Sequence, residues 1–138
     1  MKFIPKSLLL TLCFTSSVAF ADVAVIVNPG NNSEISDDDI QRIFLGKNKS
    51  FSNGESVMAI NLGSGNEQRS EFEEKVLGKS SSQVKAYWSK LIFSGKAKPL
   101  KEVGSDGEIL SLVASSPDAI GYVDASKVDD SVKVVKTF

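Results

Sequence analysis

The sequence predicts an α/β domain: a three-layer sandwich whose mixed sheet carries helices on both faces. Three observations point there. Short β-branched or apolar runs alternate with segments of helical periodicity, and such interleaving builds a sheet covered by helices. A helix lying between two strands carries the chain across the sheet, so part of the pairing is expected to be parallel. From residue 22 onward there is no cysteine, so an apolar core and not disulfides must hold the domain.

The N-terminal segment, MKFIPKSLLLTLCFTSSVAFA, stands apart. It has Lys2 and Lys6, an apolar run around Leu8 to Phe14, and Ala19-Phe20-Ala21 at its end. A basic start, a short apolar core and a small-x-small cleavage signal make a secretory signal peptide. The core is shorter than the roughly 20 residues of a membrane span. Cleavage is expected after Ala21. Residues 1–21 are then the signal peptide, and residues 22–138 form one exported domain that is not membrane-spanning. The single cysteine, Cys13, lies inside the signal segment.

The elements follow in order. DVAVIVNPG (22–30) is a strand ended by an Asn-Pro-Gly turn. SDDDIQRIFLG (36–46) is a helix with Ser36 as N-cap, Asp37 to Asp39 at the positive end of the dipole, and Gly46 as its stop. Its inward stripe is Ile40, Ile43 and Phe44. KNKSFSNGES (47–56) is a polar loop turning at Asn53-Gly54, and VMAINL (57–62) is the second strand. Glu67 to Leu77 is a helix with Phe72 and Val76 inward and Gly78 at its end. In SSSQVKAYWSKLIFSG (80–95), Val84, Tyr87, Trp88, Leu91 and Ile92 share one helical face. KAKPLKEVGS (96–105) reads as a loop. DGEILSLVASSP (106–117) is a short helix with Ile109, Leu112 and Val113 inward, ended by Pro117. AIGYVDA (119–125) is a buried strand and SVKVVKTF (131–138) a last, alternating one.

Composition removes most chemistry. The chain has no histidine, which excludes a histidine base, a Ser-His-Asp triad and histidine-based metal sites. The sequence lacks the Gly-x-Ser-x-Gly elbow and the Gly-x4-Gly-Lys-Ser/Thr phosphate loop. Asp37-Asp38-Asp39 lacks the alternating ligand spacing of a calcium loop and reads as a solvated helix start. No catalytic residue, metal or cofactor is expected, and the protein is read as a non-enzyme. The formal net charge of −1 includes the two signal-peptide lysines. Nothing in this balance suggests nucleic acid or an anionic membrane surface. Tyr87 and Trp88 read as core. Lys85, Lys90, Lys96, Lys98 and Lys101 read as a solvated basic face that can raise the local anion concentration.

The stretch NLGSGNEQRS (61–70) carries the candidate site. Gly63, Ser64 and Gly65 join a strand to a helix, where unpaired N–H groups and the dipole favour an anion. Ser64 adds a hydroxyl, Asn66 an amide, and Arg69 a forked cation one turn on. The same residues also suit plain capping, with Ser64 or Asn66 accepting from the helix start. A second helix start, Gly104-Ser105, repeats the choice, with Asp106 beside it either repelling an anion or capping. A third polar, glycine-containing turn, NPGNNSEIS (28–36), could line the same edge. Such starts can converge on one crevice at the carboxyl ends of strands.

DDIQRIFLGK, FEEKVLGKS, VKAYWSKLIFSGK and LVASSPDAIGYV, in that order, resemble the substrate-binding proteins of phosphate ABC transporters, in particular short members of the type 2 periplasmic binding superfamily. The similarity runs from about Val25 to Val123. It implies one α/β lobe of a two-lobed clamshell that closes on an oxyanion. It also implies phosphate, or a similar oxyanion, held by hydroxyls, helix N-termini and an arginine. It implies a link to ABC-type uptake as well, through a permease or another protein partner. Gly63-Ser64-Gly65 matches the family's Gly-Ser-Gly-Thr loop, and Gly104-Ser105 resembles the other polar turn. Ligand residues are therefore expected at Gly63, Ser64, Gly65, Asn66, Arg69 and Ser105. The departures are Asn66 in place of threonine, and Ile60 and Leu62 where the family often carries an Arg and an Asp. A second reading stays open: an interaction or scaffold domain of the cell envelope that has lost the anion.

Overall fold

The computed structural model describes residues 22–138; the expected signal peptide lies outside the described residues. The first strand, β1 (Val23–Val27), is buried along its whole length. Helix α1 (Asp37–Phe44) starts at Ser36, whose hydroxyl accepts from the Asp39 N–H while the Asp39 carboxylate accepts from the Ser36 N–H. This reciprocal box satisfies donors that a helix start leaves open. The Ser36 N–H, then its hydroxyl, hold the Asp39 carboxyl below the usual range. Ile40, Ile43 and Phe44 turn inward, as the spacing predicts.

Strand β2 (Met58–Leu62) follows the Asn53-Gly54 turn. Helix α2 (Glu67–Phe72) passes into a π-type turn, Glu73–Leu77, and stops at left-handed Gly78. The sequence shows one unbroken helix here; the wider turn is added by the structure. Helix α3 (Ser81–Phe93) begins with a second capping box, Ser80 with Gln83. Strand β3 (Lys101–Val103) lies inside the segment expected to be a loop. It is a short edge strand held by pairing with β2, which no local apolar run announces. Helix α4 (Asp106–Ser115) and strands β4 (Ala119–Asp124) and β5 (Lys133–Thr137) complete the chain.

The sheet has five strands in the order β3-β2-β4-β1-β5. Strand β2 runs parallel to β3 and β4, while β1 is antiparallel to β4 and β5. The sheet is therefore mixed, with the parallel pairs reached by helical crossovers. Beside β1, Val23 and Phe138 exchange both backbone hydrogen bonds, at 3.1 and 2.8 Å.

Successive residues of β4 show what covers each face, since neighbours in a strand point opposite ways. Gly121 faces α4, so close to Ile109 that a Cβ there would come within 2.6 Å of its Cγ2. Tyr122 faces α1 and α2 and stacks on Phe72 at 3.8 Å between ring centroids, with Phe44 edge-on to both. Helices thus cover both faces. Full burial of each large apolar side chain is worth about 1.5–3 kcal/mol, and this aromatic cluster is the centre of the core.

Helix α3 forms an outer part of the same layer as α1 and α2, against the π turn. Of its predicted stripe only Val84 is buried; Tyr87 and Trp88 are half-buried and Ile92 is 42% exposed. The sheet beneath is already occupied by α1 and α2, so the far end of α3 runs past the core. Phe93, next in sequence, is 96% exposed.

Candidate functional site

The turn after β2 is built as the sequence suggests. The Asn66 N–H donates to the Gly63 carbonyl at 3.2 Å, closing a four-residue turn. Gly65 takes a φ of 84°, which a turn with positive φ at its third residue reserves for glycine. Asn66 is the N-cap of α2: its side-chain oxygen accepts from the Gln68 N–H at 2.9 Å and the Arg69 N–H at 3.3 Å. Two of the donors at this helix start therefore already have an acceptor from within the chain.

Arg69 turns back toward the sheet. Its Nη1 donates to the Leu62 carbonyl and to Glu102 Oε1, each at 3.0 Å. Its Nε lies 3.6 Å from Glu73 Oε2. Glu73 is 3% exposed, and its other oxygen accepts from the Ser81 hydroxyl at 2.9 Å. The guanidinium thus joins α2, the π turn and edge strand β3. A buried carboxylate needs such partners, because desolvation of an unpaired charge costs several kcal/mol.

The second turn leaves the sheet beside the first. Leu62 pairs with Val103 in parallel register, so Gly63 and Gly104 emerge together at one edge. Ser105 caps α4, its hydroxyl accepting from the Glu108 N–H at 3.3 Å. The Glu108 carboxylate accepts from the Gly104 N–H at 2.8 Å, and Lys127 lies 3.8 Å from Asp106. The third turn, 28–36, is a correction. Strand β1 is antiparallel to β4, so its carboxyl end lies at the opposite edge, where Asn28 donates to the Val113 and Ala114 carbonyls at the end of α4.

Beside the first turn lies a shallow depression of about 130 Å³, lined by Ser64, Gly65, Arg69, Glu73, Ser81, Ser82 and Lys85. It brings Ser64, Gly65 and Arg69 together. Ser105 is not among its lining residues. Ser81 and Lys85 were not singled out as site residues from sequence, yet their i, i+4 spacing on α3 was a usable signal. Among the described residues Lys85 makes no ion pair, so it is the uncompensated cation of this depression. Beneath it, buried Tyr122 accepts from the Leu62 N–H at 3.3 Å and donates to the Asn61 side chain. Burial pushes the Tyr122 phenol well above its usual range.

No protein-family model matches the chain, and no curated protein matches it in sequence. Solved structures do match it in fold. An ABC-type phosphate transport receptor from Vibrio cholerae superposes with a TM-score of 0.65 at 19% identity, over 84% of this chain and 46% of its own. A Clostridium perfringens protein assigned as a phosphate ABC transporter substrate-binding protein, solved with bound phosphate, gives 0.65 at 24%, over 84% and 45%. PstS from Borrelia burgdorferi gives 0.63 at 17%, over 85% and 48%. The chain therefore shares its α/β fold with part of each of these proteins. The chain spans less than half the length of these proteins. No helix among its described residues is long and apolar enough to cross a membrane.

Proposed function

We propose that this chain is a periplasmic, non-enzymatic solute-binding lobe that engages phosphate or a related oxyanion at the Gly63–Asn66 turn, with its signal peptide removed after Ala21. One observation carries the reading: Ser64, Gly65, Ser81, Ser82 and the unpaired Lys85 line one depression, with Arg69 and Glu73 beside them. Arg69 contributes its charge from a fixed position, and Ser105 belongs to the neighbouring turn at the same edge. Binding uses hydrogen bonds and charge, with no bond made or broken. A single lobe offers one wall, whereas formed pockets enclose about 70–90% of a small ligand. Affinity is therefore low until a second wall closes the site, and a link to an ABC permease would run through that assembly.

The test is calorimetry of the mature protein with phosphate, against chloride at matched ionic strength. Binding heat and a thermal shift are expected at millimolar phosphate; ligand at a hundred times its dissociation constant adds about 2.7 kcal/mol. Ser64→Ala and Lys85→Gln should each weaken the response. Absence of both heat and shift would sink the reading. The second reading, an envelope interaction domain without a ligand, draws support from Arg69, whose guanidinium is already shared among Leu62, Glu73 and Glu102. It predicts a stoichiometric protein partner whose capture is insensitive to phosphate.

A further inference from the structure

A cavity of about 510 Å³ lies on the same face of the sheet as α1 but toward the other end of β2, away from the Gly63 turn. Ala59 of β2 and Val57 just before the strand line it, together with Ile43, Leu100 and Trp88. Trp88 is seated against Gly46, where a Cβ would come within 2.8 Å of the ring. Gly46 also has a φ of 71°. The indole is thereby held in place as a flat apolar wall. Lys49, Lys96 and Lys98 also line the cavity, and no acidic residue does. None of these lysines makes an ion pair among the described residues, and all three are exposed.

We infer that this cavity is a binding site for a small organic anion with an apolar, aromatic body. The volume falls in the roughly 300–1,000 Å³ range of small-molecule pockets. A planar ring fits beside the indole, since aromatic pairs attract in offset or edge-on contact beyond what burial alone gives. The lysines select the ligand's charge: a cation would face like charge, and a neutral ligand would forgo their attraction. Inorganic phosphate has no apolar surface to bury here, so this site is separate from the one beside Ser64.

Trp88 is the chain's one tryptophan, so its emission reports on the cavity. The probe is naphthoate, compared with naphthamide, its uncharged isostere. Saturable quenching of Trp88 by naphthoate is expected with a dissociation constant of about 0.1–1 mM, from the binding energy such a small ligand can reach. Naphthamide should bind about three- to tenfold more weakly, in line with one or two exposed charge contacts. The double variant Lys96→Gln, Lys98→Gln should bring naphthoate down to the amide's level, and millimolar phosphate should not displace it. The inference is overturned by a lack of saturable quenching up to about 5 mM. Equal binding of acid and amide, an unchanged double variant, or displacement by phosphate would each overturn it as well.

Discussion

The two ends of β2 differ in how their polar groups are used. At the Gly63–Asn66 end the groups mostly face inward. Asn66 caps, Arg69 is shared among a carbonyl and two carboxylates, and Glu108 covers the neighbouring Gly104 N–H. At the Val57 end an apolar wall is ringed by lysines that pair with nothing among the described residues. A residue suited to hold a ligand can instead be holding its own scaffold, and only the geometry separates the two. Lys85 is the exception at the first end and Trp88 the fixed element at the second.

The sharpest way to break this contrast is at Arg69. Arg69→Met leaves Glu73 buried without its ion-pair partner, and breaking a buried pair costs about 3–5 kcal/mol. Urea or thermal unfolding should show that loss, and Arg69→Met with Glu73→Leu should recover much of it. A stable Arg69→Met single variant would return the arginine to a ligand role.

Tyr122 comes next, because it supports the turn from below. Tyr122→Phe strands the Asn61 side chain and the Leu62 N–H, at a cost of about 1–3 kcal/mol measured by denaturant unfolding. Its pH behaviour adds a signature. The folded phenol titrates above the unfolded one, so its contribution is complete below about pH 10 and falls as pH rises toward the folded value. The wild type should lose stability in alkali on this account, and Tyr122→Phe should not share that loss.

The smallest effect is expected at the cap. Asn66→Ala removes an acceptor from two N–H groups and should cost about 1 kcal/mol. If it also tightened phosphate binding, those N–H groups would be ligand donors that the cap now occupies.

Much of the fold was legible in the sequence because its signals are local. Ser36 and Gly46 bracket α1, and Ile40, Ile43 and Phe44 fall at core spacing. Strand β3 was not legible, since Lys101-Glu102-Val103 has no apolar run and owes its conformation to β2. The placement of the 28–36 turn was lost for a related reason: strand direction is a property of the whole sheet, and β1 runs antiparallel to its neighbours. The candidate turn itself was legible, with capping and anion binding both open. The partners of Arg69 were half legible. Glu73 stands at i+4, but its burial and the arrival of Glu102 from β3 are tertiary facts. The cavity at Trp88 gave no local sign, because Lys49 and Lys96 meet only through the fold.

The hydrogen-bonded pair of Val23 and Phe138 ties the buried start of β1 to the residue that follows β5. Strand margins are where a sheet loosens first, so this clasp holds β1 and β5 together at the sheet's edge.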